Sequence, residues 1–406
     1  MSGPDDAWLA AELDRLLDFA EGSRHPDGGF AWLDDAGRPE LDRPIEAWIT
    51  CRMTHVFSLD HLLGRPGAAA LADHGVAALE GGVLRDLRHG GWYASATATG
   101  PVGADKRAYE HAFVVLAASS AAAAGRPGAE DLLATALDVV ETRFWRDADG
   151  LLVDVWDRTW TDLEPYRGVN ANMHGVEAFL AAADVTGDVR WRERAARVTE
   201  RVVHGWAREG GWHLPEHFDA AWRPLPGYNT EDRAHPFRPY GVTIGHLLEW
   251  SRLALHVRAA TGVDAPGWLL DDAVHLFDTA VREGWAVDGR EGFVYTVDWD
   301  GTPVVRDRLH WVVAEAVAAA EALHRVTGQD AYAAWAATWW EHADRLFLDR
   351  DGGSWHHELD PANRPAATVW AGKPDAYHAV QATLVPVLPL APTLATALAG
   401  GLLGQP

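Results

Sequence analysis

A glycine-rich turn recurs six times along the chain, and that recurrence limits the fold more than any other feature. The copies are Asp27-Gly-Gly-Phe30, Gly90-Gly-Trp-Tyr93, Asp149-Gly-Leu-Leu152, Gly210-Gly-Trp-His213, Gly289-Arg-Glu-Gly-Phe293 and Gly352-Gly-Ser-Trp355. From Gly28 to Gly352 the spacing averages about 65 residues, so six copies of one supersecondary unit fit the length. Apolar residues at i, i+3 and i+4 predict one helix before each turn: Ala7–Phe19, Gly67–Leu87, Ala129–Phe144, Val189–Trp206, Asp264–Val281 and Ala331–Phe347. A second set follows the turns: Ile45–Leu63, Lys106–Ala123, Val169–Val185, Tyr240–Ala260, Leu309–Val326 and Tyr377 towards Leu398. Pro66, Pro127 and Pro266 fall in the joints, where helix breakers belong, and Pro386, Pro389 and Pro392 interrupt the last helix.

Six helical hairpins predict an all-α chain closed as an (α/α)6 barrel, with short β-hairpin-like glycine turns at one rim, residues 1–406 forming a single catalytic domain. An open helical solenoid is the structural rival. A helix walled in by others is apolar nearly all round; the stretch Ala112-Phe-Val-Val-Leu-Ala-Ala118, which has no polar face, fits the inner layer of a barrel. The 21 tryptophans supply core volume, and such rings also form platforms for sugar C–H faces.

Composition removes several function classes. With 35 Lys+Arg against 59 Asp+Glu, the net charge of −24 opposes binding to nucleic acid or to an anionic membrane through the overall field. A lone Cys51 excludes a disulfide framework and a multi-thiolate zinc site. No apolar run reaches the length of a membrane span, and the acidic start lacks the basic and apolar regions of a signal peptide. The expectation is a soluble, cytoplasmic protein, monomer or homodimer.

The second helix set opens on polar side chains and then turns apolar. Its members contribute Trp48, Arg52 and His55; Tyr109 and His111; Asn170, Asn172 and His174; Arg238, His246 and Glu249; His310, Trp311 and Glu315; and His378. If these helices run parallel inside a ring, six elements deliver imidazole, guanidinium, amide and carboxylate groups to one cavity. Asn170 shares a helix face with His174, and His246 with Glu249. A carboxylate beside an imidazole fixes its tautomer and supports its protonated form. No His-Glu-x-x-His, P-loop, dinucleotide fingerprint or Gly-x-Ser-x-Gly elbow occurs. His213 and His217 straddle Pro215, and His356-His357 lies in a glycine hairpin, so neither pair is expected to hold a metal.

Five segments carry a resemblance: Cys51-Arg-Met-Thr-His-Val-Phe-Ser-Leu59, Lys106-Arg-Ala-Tyr-Glu-His-Ala-Phe-Val114, Gly168-Val-Asn-Ala-Asn-Met-His-Gly-Val-Glu177, Phe237-Arg-Pro-Tyr-Gly-Val-Thr-Ile-Gly-His-Leu-Leu-Glu-Trp250 and Trp370-Ala-Gly-Lys-Pro-Asp-Ala-Tyr-His378. In this order they resemble the N-acylglucosamine 2-epimerase superfamily, and within it the branch of D-mannose and sulfoquinovose isomerases. The resemblance implies an (α/α)6 barrel acting on a monosaccharide without a metal or nucleotide cofactor. It implies His246 and His378 as the acid/base pair, with Glu249 orienting His246. It places Arg52, Tyr109, Asn170, Asn172, His174, Arg238, Trp311 and Glu315 around the sugar. The expected reaction is aldose–ketose isomerisation through a cis-enediol, D-mannose to D-fructose and D-lyxose to D-xylulose. Sugar 2-epimerisation and sulfoquinovose isomerisation are the alternatives within the superfamily. A glycoside hydrolase on the same toroid, with Glu231, Asp232 and Glu315 as candidate carboxylates, is the distant one.

Overall fold

The computed structural model describes residues 4–404. In chain order its helices are α1 (Asp6–Ala20), α2 (Ala47–Leu62), α3 (Ala68–Glu80), α4 (Ala108–Ala123), α5 (Ala129–Val139), α6 (Val169–Thr186) and α7 (Val189–Thr199). They continue as α8 (Ile244–Thr261), α9 (Trp268–Gly284), α10 (His310–Thr327), α11 (Asp330–Leu346), α12 (Tyr377–Leu384) and α13 (Leu394–Ala399). The alternation predicted from apolar spacing is present, with several boundaries moved: α5 and α7 pass into wider π-helical turns at Val140–Phe144 and Glu200–Ala207, and α8 and α9 begin four residues later than predicted. α3 stops at Glu80 instead of Leu87, because Gly81-Gly82 follows and offers no helix propensity. The last expected helix is two pieces, α12 and α13: Pro386 has no N–H to give to the helix, so α12 closes at Leu384 and Val385–Val387 forms a tighter turn.

The chain divides into two compact units, each discontinuous in sequence. One comprises Leu17–Val198, Pro374–Tyr377 and the chain from Ala391. Within it α2, α4 and α6 pack side by side, α3 covers α2 and α5 covers α4. The other comprises the chain up to Leu16, Thr199–Lys373 and His378–Leu390. There α8 packs on α10, with α9 against α8 and α11 against α10. In both units the second helix of a repeat is buried all round: every residue of α2 from Ala47 to Asp60 and of α8 from Ile244 to Val257 is buried. The covering helix is one-faced, as in α9, where Leu269, Ala273, Leu276, Phe277 and Ala280 form the inward stripe. Trp92, Trp250, Trp339 and Trp355 are completely buried, the fate expected for most of the tryptophans.

Short antiparallel hairpins join each covering helix to the next inner helix, and they explain how the inner helices start. The residues preceding α2, α4, α8 and α10 are extended, and no side chain caps their N-termini. Backbone pairing takes over instead. Ala47 N–H donates to Ala94 O at 2.9 Å, Ala108 to Asp154 O at 2.8 Å, Ile244 to Tyr295 O at 3.2 Å and His310 to His357 O at 3.1 Å. A hairpin carbonyl thereby satisfies a first-turn N–H that an isolated helix would leave open. Among the described residues no helix is long and apolar enough to cross a membrane.

Candidate active site

In the unit built on α8 and α10, two imidazoles approach one indole. The strand Val242–Thr243 pairs with Thr296–Val297 and sets the start of α8, placing His246 in its first turn. The ring of Trp311, in the first turn of α10, lies 5.3 Å from that of His246 and 5.8 Å from that of His378, centroid to centroid. Gly245 makes this approach feasible: a Cβ there would sit 2.3 Å from Cζ3 of Trp311. Trp311 is half-buried, whereas His246 and His378 are only 8% and 5% exposed.

Each imidazole has a carboxylate on Nδ1. Glu216 Oε1 lies 2.9 Å from His246 Nδ1, and Glu315 Oε1 lies 2.9 Å from His378 Nδ1. An ionised carboxylate can only accept, so Nδ1 of each neutral ring carries the proton and Nε2 presents the lone pair. The Glu315 carboxylate is itself gripped by Arg252, whose Nε donates to Oε2 at 2.8 Å and whose second nitrogen reaches Oε1 at 3.2 Å. Such an arrangement can hold two nitrogen bases in fixed tautomers against an aromatic wall, which is what proton transfer to and from carbon requires.

Three expectations need correcting. Glu249 does not orient His246: the Nδ1 partner is Glu216, brought in by the hairpin after Gly210-Gly211, and Glu249 stands 3.8 Å from Arg252 instead. Glu315 does not line a sugar pocket, because it is 2% exposed and its oxygens are occupied by His378 and Arg252. Asn172 is not a sugar contact either. It is wholly buried, accepts from Leu152 N–H and donates to the carbonyls of Leu152 and Gly168, and so ties the hairpin to α6. Arg238 is half-buried and donates to the Tyr228 hydroxyl at 3.3 Å.

The other unit gathers its own polar cluster around Arg52. This guanidinium is 7% exposed, donates to Asp375 at 3.1 Å and to the Tyr109 hydroxyl at 3.0 Å, and lies within 4.6–5.2 Å of the Trp48, Phe113 and Tyr377 ring centroids. The carboxylate and the phenol raise its already high pKa, against the opposing pull of burial. Tyr109 packs edge-on to His174 at 5.2 Å, and Tyr109 and Asn170 are half-buried. The Tyr377 hydroxyl donates to Glu177.

His55 and His111 belong to the interior. His55 bonds to Ser120 Oγ at 2.6 Å, and burial lowers its pKa to about 4. His111 donates from Nδ1 to the Arg107 carbonyl and accepts from Trp92 N–H, its pKa pushed down to about 3 by burial. Both rings are neutral packing elements at neutral pH. His213 and His217 go to separate partners, the Glu283 carboxylate and the Pro239 carbonyl. Glu231 and Asp232, the carboxylates a hydrolase would draw on, are exposed.

The whole chain is similar to proteins of known activity. The chain is 57% identical over 395 residues to a D-mannose isomerase of Thermobifida fusca, covering 97% of each. It is 52% identical over 396 residues to a D-mannose isomerase of Pseudomonas cannabina pv. alisalensis, covering 97% of this chain and 95% of that protein. A crystal structure of a D-mannose isomerase superposes with a TM-score of 0.88 at 29% identity, covering 94% of this chain and 97% of the other. The fold is the all-α (α/α)6 barrel of these isomerases and epimerases. The model of the N-acylglucosamine 2-epimerase (GlcNAc 2-epimerase) family matches residues 28–382, and the chain belongs to that family.

Proposed function

We propose that the protein is a D-mannose isomerase that forms D-fructose by proton transfer between two imidazoles. The observation that carries this reading is the pair His246 and His378, both against Trp311 and each with a carboxylate on Nδ1. Isomerisation moves a proton from C2 to C1 and another from O2 to O1, through a cis-enediol. In this reading His378 removes the C2 proton through Nε2 and returns it to C1 on the same face. His246 supports ring opening and carries the hydroxyl proton. Trp311 offers the apolar face on which the sugar's C–H groups rest. Arg238 adds a polar contact. The family resemblance assigns Arg52, Tyr109, Asn170 and His174 as further sugar contacts, and each is checked by the KM of its own variant.

NMR of D-mannose incubated with the protein in deuterated water tests the proposal. The expected result is D-fructose with deuterium entering at C1. Glucose as the main product would make the enzyme a 2-epimerase, and no conversion of D-mannose would overturn the reading. A second measurement probes the indole. Gly245→Ala drives a methyl group into Trp311, and a displacement of about 1 Å in such a site costs about 10²-fold. We expect kcat to fall by that order while the fold survives; unchanged kcat would show that the position of Trp311 does not matter.

A further inference from the structure

We infer that Arg252 is the positioning residue that makes His378, and not His246, the carbon base. This rests on the isomerase reading and adds a residue to it. The two imidazoles are alike in having a carboxylate on Nδ1 and unlike in what stands behind it. Behind His378, Arg252 is 3% exposed and spans both oxygens of Glu315 at 2.8 and 3.2 Å, with Glu249 at 3.8 Å on the same helix. Behind His246, among the described residues, no arginine or lysine lies within ion-pair distance of Glu216.

The consequence follows from charge and from shape. A guanidinium fork fixes a carboxylate in one plane, because its donors match both oxygens at once. Glu315 Oε1 is thereby held against Nδ1 of His378, and the ring cannot turn without breaking a buried bond. The positive charge of Arg252, which sits closer to Glu315 than to Glu249, also offsets part of the Glu315 charge, so the carboxylate has less power to draw a second proton onto His378. A base must be neutral to act. Glu216 has no such balance, which suits His246 to the proton-carrying role. Among the charged and titratable groups near His378 are Glu315 and His310 on α10, the latter at 6.4 Å between ring centroids, and behind Glu315 stand Arg252 and Glu249 on α8; His246 touches the same indole.

Arg252→Met tests the inference. Activity on D-mannose should show kcat reduced by roughly 10–100-fold, the usual cost of removing a group that orients a reactive one. The KM should hold, and the acid limb of the kcat/KM profile should move up by about one pH unit as Glu315 loses its counter-charge. Arg252→Lys should restore the position of that limb and only part of kcat, since an ammonium keeps the charge without the fork. The 15N resonances of the His378 ring supply a readout apart from turnover: a single Nδ1–H tautomer in the native protein, and a mixed or protonated ring in Arg252→Met. If Arg252→Met does not fold, Arg252→Gln is measured in the same way. A variant with native kcat, pH profile and tautomer would overturn the role of Arg252 while leaving the isomerase reading intact. Failure of the isomerase reading itself would appear separately, as no conversion of D-mannose by the native protein.

Discussion

In His378→Asn, exchange of the C2 proton of D-mannose with solvent is expected to fall by about 10³-fold or more, the upper part of the range for losing a general base. Asparagine is the appropriate replacement because its amide nitrogen lies near the position of Nδ1. It can keep donating to Glu315, which at 2% exposure has no water to turn to. Alanine would leave that oxygen only the longer bond from Arg252 and open a cavity beside it, mixing a stability effect into the kinetics. The measurement is C2 deuterium incorporation by NMR alongside a thermal melt. Exchange at the native rate in a folded His378→Asn protein would remove His378 as the base. His246→Asn provides the contrast, with the amide placed to keep Glu216 bonded.

The second large effect concerns stability. Arg52→Met is expected to destabilise the fold by about 3–5 kcal/mol, because it breaks a buried ion pair by removing one member. Asp375 is 5% exposed, and Arg52 is enclosed by the Trp48, Phe113 and Tyr377 rings, so solvent cannot replace the guanidinium. Arg52→Lys should recover only part of the loss, as one ammonium cannot reproduce the planar fork that serves both Asp375 and the Tyr109 hydroxyl. Adding Asp375→Asn to Arg52→Met should restore part of it, since the buried carboxylate that faced the guanidinium is then neutral. Urea denaturation of the three variants checks this; a loss below about 1 kcal/mol in Arg52→Met would mean that the pair behaves as an exposed one.

What could be read from the amino acids divides along the range of the forces involved. The helices are local objects, set by apolar spacing, proline and glycine, and their order follows from those. His246 and His378 are also visible, since ionisable residues recur at the start of helices that are otherwise apolar. Their partners are not visible, because tertiary approach decides them. Glu216 reaches His246 from 30 positions upstream, and Glu315 is 63 positions from both His378 and Arg252. Glu249 is close in sequence, but the Nδ1 it was expected to hold already belongs to Glu216. One signal could have found that residue: Glu216 lies five residues past Gly211, as the buried Glu358 does past Gly353. Asn170 and Asn172 differ by about 200° around the helix, so one is half-buried while the other is spent on backbone.

The hairpin carbonyls that begin the inner helices have a wider consequence. In most proteins the opening residues of a helix are constrained, since a serine, threonine or aspartate there holds the end together. Here α2, α4, α8 and α10 are opened by main-chain pairing, which asks nothing of the side chains beside it. Those positions are therefore open to exchange: a lineage can rewrite the chemistry at the mouth of a helix and keep the helix. A scaffold with that tolerance is well suited to diversify among substrates while its architecture stays the same.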